Sequence, residues 1–169
     1  MRTDFIQPDL IRPNLIPERA ASAGALINGR IQKLKMVIPA DVAALEKVGA
    51  CVNEFLASRQ WPVEEVMKVE LAVQEALANA IRHGCRNDAS KLVDCCVTLN
   101  AAELVIVIRD PGPGFEVRAV ANPLERVNLF KPGGRGVFLI NQLMDTVEFT
   151  EGGRQLTMRK RRGGPVSVA

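Results

Sequence analysis

The chain has 169 residues, 47% of them hydrophobic, enough to bury the core of one domain and too few for two of ordinary size. Its formal charge of +3 is uneven: Arg154, Arg159, Lys160, Arg161 and Arg162 supply five positive charges, and +3 less those 5 leaves −2 for the body. The four cysteines show no C-x-x-C spacing and only His83 is available to join them, which argues against a zinc site and a disulfide framework.

Residues 1–34 read as an N-terminal arm, extended and packed on a neighbour or else disordered, because Pro8, Pro13 and Pro17 block helix. The first 30 residues have no apolar signal core, and no uncharged apolar segment reaches the roughly 18 residues that span a bilayer, so a cytoplasmic protein with no membrane contact is expected. "LKMVIPA" predicts a short strand, opening a domain over 35–162. "ADVAALEKVGACVNEFLASRQ" predicts a helix with Leu45, Val48, Val52, Phe55 and Leu56 on one stripe. Pro62 suits the first turn of a second helix that runs to a stop at Gly84. In "KLVDCCVTLN", Val93, Cys95, Val97 and Leu99 alternate with Asp94, Cys96 and Thr98, the pattern of a half-buried strand. "AELVIVIR" is its expected hairpin partner, apolar on both faces and therefore central. Residues 111–134 are irregular, a helix follows at about 136–144, and strands around "TVEFT" and "QLTMRK" close the chain. The run "RKRR" has the composition of a nucleic-acid or acidic-partner contact, but no aromatic residue interleaves it, and it reads as solvated, ahead of a tail at 163–169. Helices followed by an antiparallel meander point to a two-layer α+β sandwich rather than a doubly wound sheet.

Three stretches carry chemistry. In "DPGPGF", Asp110 leaves an apolar strand, where a carboxylate is costly unless a donor reaches it. It is suited to accept from an exocyclic amine, while Gly112 and Gly114 let the backbone approach a flat ring. An ordinary turn uses the same residues. "PGGRGVFLI" is a glycine-rich loop opening a helix, whose free amides attract phosphate with added charge from Arg135; a flexible loop before a capped helix looks the same. On the second helix Glu75, Asn79 and His83 stand at i, i+4 and i+8, beside the small residues Ala72, Ala76 and Ala80 that leave room for a ligand. Glu75 is able to take a proton or orient a nucleophile, and Asn79 offers a neutral oxygen to Mg²⁺. A solvated polar stripe is the plainer reading, and His83 by itself reads as structural.

E-x-x-x-N, then D-x-G-x-G, then G-x-G resembles the ATP-binding domain shared by gyrase, heat-shock chaperones, histidine kinases and mismatch-repair proteins. "EALANAIRHG", "DPGPGF" and "GGRGVFLINQLMDTVEF" look most like the anti-sigma-factor serine/threonine kinases, over about residues 36–160. The resemblance implies a histidine-kinase-like (Bergerat) sandwich, with a mixed, mostly antiparallel sheet covered by helices on one face. It implies ATP and Mg²⁺ as cofactors, Asn79 on the metal, Glu75 as base and Asp110 reading adenine. Gly112, Gly114, Gly134 and Gly136 would shape the pocket, with His83, Phe115, Arg135 and Val137 as further nucleotide contacts and a lid over about 116–133. The implied partners are an anti-anti-sigma antagonist protein, a sigma factor and a second copy of the chain, without direct nucleic-acid contact. One departure stands out: where the family often carries a threonine after a glycine, "EGGRQLTM" has Arg154, which weakens the adenine-side contact.

A complete histidine kinase needs a separate phosphoacceptor histidine, and His83 lies inside the motif. A dinucleotide-binding fold would place its glycines directly after the first strand. The expected function is an ATP-binding anti-sigma factor that phosphorylates its antagonist; the alternative is a nucleotide-binding module that sequesters a sigma factor without transfer.

Overall fold

The computed structural model describes residues 14–15, 31–115 and 134–163. Among the described residues six strands form one sheet: β1 (Asn14–Leu15), β2 (Gln32–Pro39), β3 (Leu92–Leu99), β4 (Glu103–Arg109), β5 (Thr146–Thr150) and β6 (Gln155–Arg161). Their order is β1-β2-β3-β4-β6-β5, and every pairing is antiparallel. The expected mostly antiparallel sheet is thus wholly so among the described residues. Helices α1 (Leu45–Ala57), α2 (Val63–Asn79) and α3 (Gly134–Leu143) complete the fold. No described helix is long and apolar enough to cross a membrane.

Period-2 patterning decides which face of the sheet is covered. Leu34, Met36 and Ile38 of β2, Val93, Cys95, Val97 and Leu99 of β3, Leu104, Ile106 and Ile108 of β4, and Leu156 and Met158 of β6 are all buried. They meet Val48, Val52, Phe55 and Leu56 of α1, Val69, Val73 and Leu77 of α2, and Ile140 of α3 in one core. Strand β4 lies between β3 and β6, with Leu104, Ile106 and Ile108 buried on one face and Val105 and Val107 half-buried on the other. The β3–β4 hairpin is pinned by Asn100, whose Oδ1 accepts from the N–H groups of Ala102 and Glu103, both at 2.8 Å. Strand β2 begins at Gln32, three residues ahead of the expected domain start at 35. Of the expected arm, 1–34, only 14–15 and 31–34 are described.

The link from α1 to α2 was not readable as a turn. Gln60 takes φ +55°, its N–H donates to the Ala57 carbonyl at 3.0 Å, and that of Trp61 donates to the Leu56 carbonyl at 3.1 Å. This is a Schellman closure with glutamine where glycine is usual. Pro62 sits just before the helix, with ψ 128°, rather than in the first turn, and its carbonyl accepts from Glu65 and Val66.

The basic run is not a solvated tail. Arg159, Lys160 and Arg161 belong to β6. The Lys160 side chain is only 13% exposed and lies 3.0 Å from Glu65 and 3.4 Å from Asp145. Arg162 donates to the carbonyls of Arg59 (3.1 Å) and Gln60 (2.9 Å), with its guanidinium 5.5 Å from the Trp61 ring centre. These charges close the end of the sheet onto the α1–α2 turn. Local composition could not show this, because the partners lie about a hundred residues away.

Two stability outcomes follow from this packing. Ile106→Ala, at a fully buried position of the central strand, should cost about 2–5 kcal/mol in urea unfolding. Gln60→Gly should instead gain up to about 1 kcal/mol by relieving the left-handed backbone of a residue with a Cβ. Destabilisation by the glycine would contradict the assigned cap.

Candidate functional site

Helix α2 positions the first cluster. Glu75 and Asn79 are half-buried, one turn apart, on the side that meets α3. Gly136, in the first turn of α3, packs onto both. A Cβ there would come within 3.0 Å of Asn79 Nδ2, 3.3 Å of Asn79 Oδ1 and 3.3 Å of Glu75 Oε2. The missing side chain therefore lets the start of α3 close over the two polar groups. Gly134 is the first residue of α3, and Val137 is half-buried with its carbonyl accepting from Asn141 Nδ2 at 2.9 Å. The side chain of Arg135 lies outside the described residues, as does the expected lid at 116–133.

The α-helix does not continue to Gly84. Ala80–Gly84 form a π turn, in which the Cys85 N–H reaches back to the Ala80 carbonyl at 2.8 Å. The i+8 spacing expected of His83 holds only for an uninterrupted α-helix, and His83 is exposed. Ala72, Ala76 and Ala80 do not open onto a ligand either: at 0, 2 and 6% exposure they belong to the core. They stand next to Glu75 and Asn79 on the helix but are turned toward the sheet.

The second cluster forms where the π turn ends. Asp110 follows the central strand β4, and its backbone N–H donates to the Arg154 carbonyl at 3.0 Å. Its Oδ1 accepts from the Gly112 N–H at 2.8 Å. The carboxylate rests on the α-carbon of Gly84, where any Cβ would overlap it. Gly112 in turn abuts the Gly84 carbonyl, and a Cβ there would lie 2.7 Å from Asp110 Oδ1. Burial pushes the Asp110 carboxyl above its ordinary value, opposed by the Gly112 N–H and by the charges of Arg154 and Lys91. Among the described residues its Oδ2 makes no hydrogen bond, leaving acceptor capacity for a donor from outside the chain.

The loop after Asp110 is tied to the β5–β6 turn. Gly114, at φ +75°, lies against the Gly152 carbonyl, which accepts from the Phe115 N–H at 2.8 Å. The Phe115 ring covers Gly153 and meets Phe149 edge-on, with centroids 5.2 Å apart. Arg154 passes beside Gly114, and its Nε donates to the Glu151 carbonyl at 3.0 Å.

The structure thus gathers Glu75, Asn79 and Gly136 at one end and Asp110 with Gly112 at the other, joined by the π turn. Gly84, expected only as a helix stop, is the candidate site residue that the sequence did not reveal. Its signal was a glycine five residues after Asn79, but what it packs against is the carboxylate of Asp110, 26 residues further on. Among the described residues no three acidic, cysteine or histidine side chains are grouped to hold a metal ion.

The raised Asp110 carboxyl has a stability consequence. Its contribution is fully present below the ordinary carboxylate value and is lost as pH rises through the elevated one. Asp110→Asn keeps an oxygen for Gly112 and removes the desolvated charge. The ligand-free variant should melt higher than wild type at neutral pH, with the gap closing as the carboxyl protonates in acid. A variant melting lower at neutral pH would show that the charge is stabilised in place.

The histidine kinase-like ATPase domain family matches residues 38–160, a span that contains both clusters and the π turn. Serine-protein kinase RsbW of Staphylococcus epidermidis is 26% identical over 135 residues, covering 75% of this chain and 85% of that protein. Serine-protein kinase RsbW of Staphylococcus aureus (strain JH9) is 24% identical over the same length, with the same coverage. With most of its length matched and the glycine-cradled carboxylate in place, the chain belongs to the histidine kinase-like ATPase domain family.

Proposed function

We propose that this protein binds Mg·ATP across the π turn and phosphorylates a serine or threonine of a small anti-anti-sigma antagonist protein, holding a sigma factor in its other partner state. The carrying observation is the Asp110–Gly84–Gly112 cradle, which a single Cβ would fill, one turn from the Glu75–Asn79 pair. The serine-protein kinase names of the relatives at 24–26% identity support the same reading. It extends to a homodimer and a cytoplasmic location.

Each residue then has a defined task. Asp110 accepts from the exocyclic amine of adenine, and the two glycines give the flat ring access to it. Asn79 would hold Mg²⁺ through its amide oxygen, and the first amides of α3, with Arg135, favour the anionic phosphates. ATP would supply the phosphoryl group, with ADP as the leaving group, and its phosphate oxygens would be further ligands for the metal. Glu75 orients the incoming hydroxyl and takes its proton. Phosphoryl transfer needs chiefly such positioning and charge neutralisation.

Calorimetry with ADP should show roughly 10- to 100-fold weaker binding in Asp110→Asn, the worth of a hydrogen bond to a charged group. Unchanged affinity would remove Asp110 from the pocket. With labelled ATP and purified antagonists from the same organism, Glu75→Gln should still bind ATP while transfer falls roughly 10²–10⁴-fold. Asn79→Ala should lose tight binding and turnover together. Undiminished transfer by Glu75→Gln would refute the base. A wild-type protein that binds ATP and a sigma factor but labels no antagonist would be a sequestering module.

A further inference from the structure

Helix α2 carries an apolar row that the core does not use. Val63, Met67 and Leu71 are 77, 67 and 43% exposed and stand at successive i+4 positions. The same spacing continues to Glu75 and Asn79. At 1.5 Å per residue the row runs about 12 Å and stops about 6 Å short of Glu75 along the axis. The core is already supplied from the other side of α2 by Val66, Val69, Val73 and Leu77. Three large apolar side chains in a row on a water-facing helix mark an interaction surface rather than scattered exposure.

The charges around the row select its occupant. Lys68, the cation on this part of α2, is paired with Glu65 at 2.7 Å. Glu64 has no cation within ion-pair distance among the described residues, and Glu70 is held by the amide of Asn53 at 2.8 Å, which leaves its charge in place. The rim is therefore acidic, which repels nucleic acid and anionic lipid and suits a protein with lysine or arginine beside an apolar strip.

We propose that Val63, Met67 and Leu71 form the docking surface for the phosphoacceptor protein, which lies along α2 and so delivers its hydroxyl to Glu75. This rests on the kinase reading of the Glu75 site and names how its substrate is held. A protein substrate needs contacts beyond the reacting hydroxyl to be positioned, and this row is contiguous with the carboxylate that receives the proton.

The test uses the full chain carrying Met67→Gln and Leu71→Gln, substitutions by good helix formers at exposed positions. Steady-state transfer from labelled ATP to a purified antagonist should show KM for the antagonist raised about tenfold or more. The melting temperature should stay within a few degrees of wild type, and ATP affinity and kcat at saturating antagonist within about twofold of it. Glu64→Lys alone should raise KM by a smaller factor. An unchanged KM in the double variant, with wild-type transfer intact, overturns the docking surface and leaves the kinase reading standing. A double variant that becomes monomeric in sedimentation while KM is unchanged assigns the row to a second copy and also overturns it. If wild type binds ATP but labels no antagonist, the kinase reading falls on the wild-type measurement, and the proposal with it.

Discussion

The carboxylate of Asp110 lying on the α-carbon of Gly84 is the contact on which the site depends. It joins the end of the central strand to the end of α2, two segments with no local reason to meet. Gly84 has no Cβ to keep the carboxylate away, and Gly112 lets the following loop fold back so that its N–H caps one oxygen. The result is a partly desolvated charge with acceptor capacity left over, and its raised pKa is the thermodynamic signature of that arrangement. Such a partly desolvated, incompletely paired carboxylate is the kind of group that marks a candidate functional site.

The rest of the fold makes this contact rigid. Strand β4 is paired on both sides, to β3 and β6, so Asp110 follows directly on a strand that is hydrogen-bonded along both edges. Core packing by Ala72, Ala76 and Ala80 draws α2 close to the sheet, bringing the π turn within reach of Asp110. The π turn adds a residue between Asn79 and Gly84, and so sets how the polar cluster on α2 is offset from the cradle. At the far end, Lys160 between Glu65 and Asp145 and Arg162 on the α1–α2 turn fix the same helix layer against the last strand.

Much of this was legible in the sequence because it is periodic. The alternation in 92–99 predicted a half-buried strand, the doubly apolar run 104–108 predicted a central one, and the stripe from Leu45 to Leu56 predicted α1; all three are as expected. Glu75 and Asn79 were legible as a pair since i+4 spacing is a helix property. What could not be read depends on contacts between distant segments. The glutamine at the α1 cap hides a turn that glycine would have announced. Gly84 looks like punctuation until Asp110 is placed beside it. The alanines look like room for a ligand until the sheet is placed beneath them. A basic run looks solvated until its acceptors arrive from the other end of the chain. Arg154 was seen as a departure, but that its charge acts on Asp110 and its stem passes Gly114 is a tertiary fact.

The central claim is that the Asp110 cradle is the adenine site and that Glu75 and Asn79 face the phosphates. A crystal structure with Mg²⁺ and a non-hydrolysable ATP analogue tests both at once. The exocyclic amine is expected within hydrogen-bond distance of an Asp110 oxygen, with the metal on Asn79 and the terminal phosphate near Glu75. A nucleotide bound elsewhere, or bound here with its base turned away from Asp110, would contradict the claim.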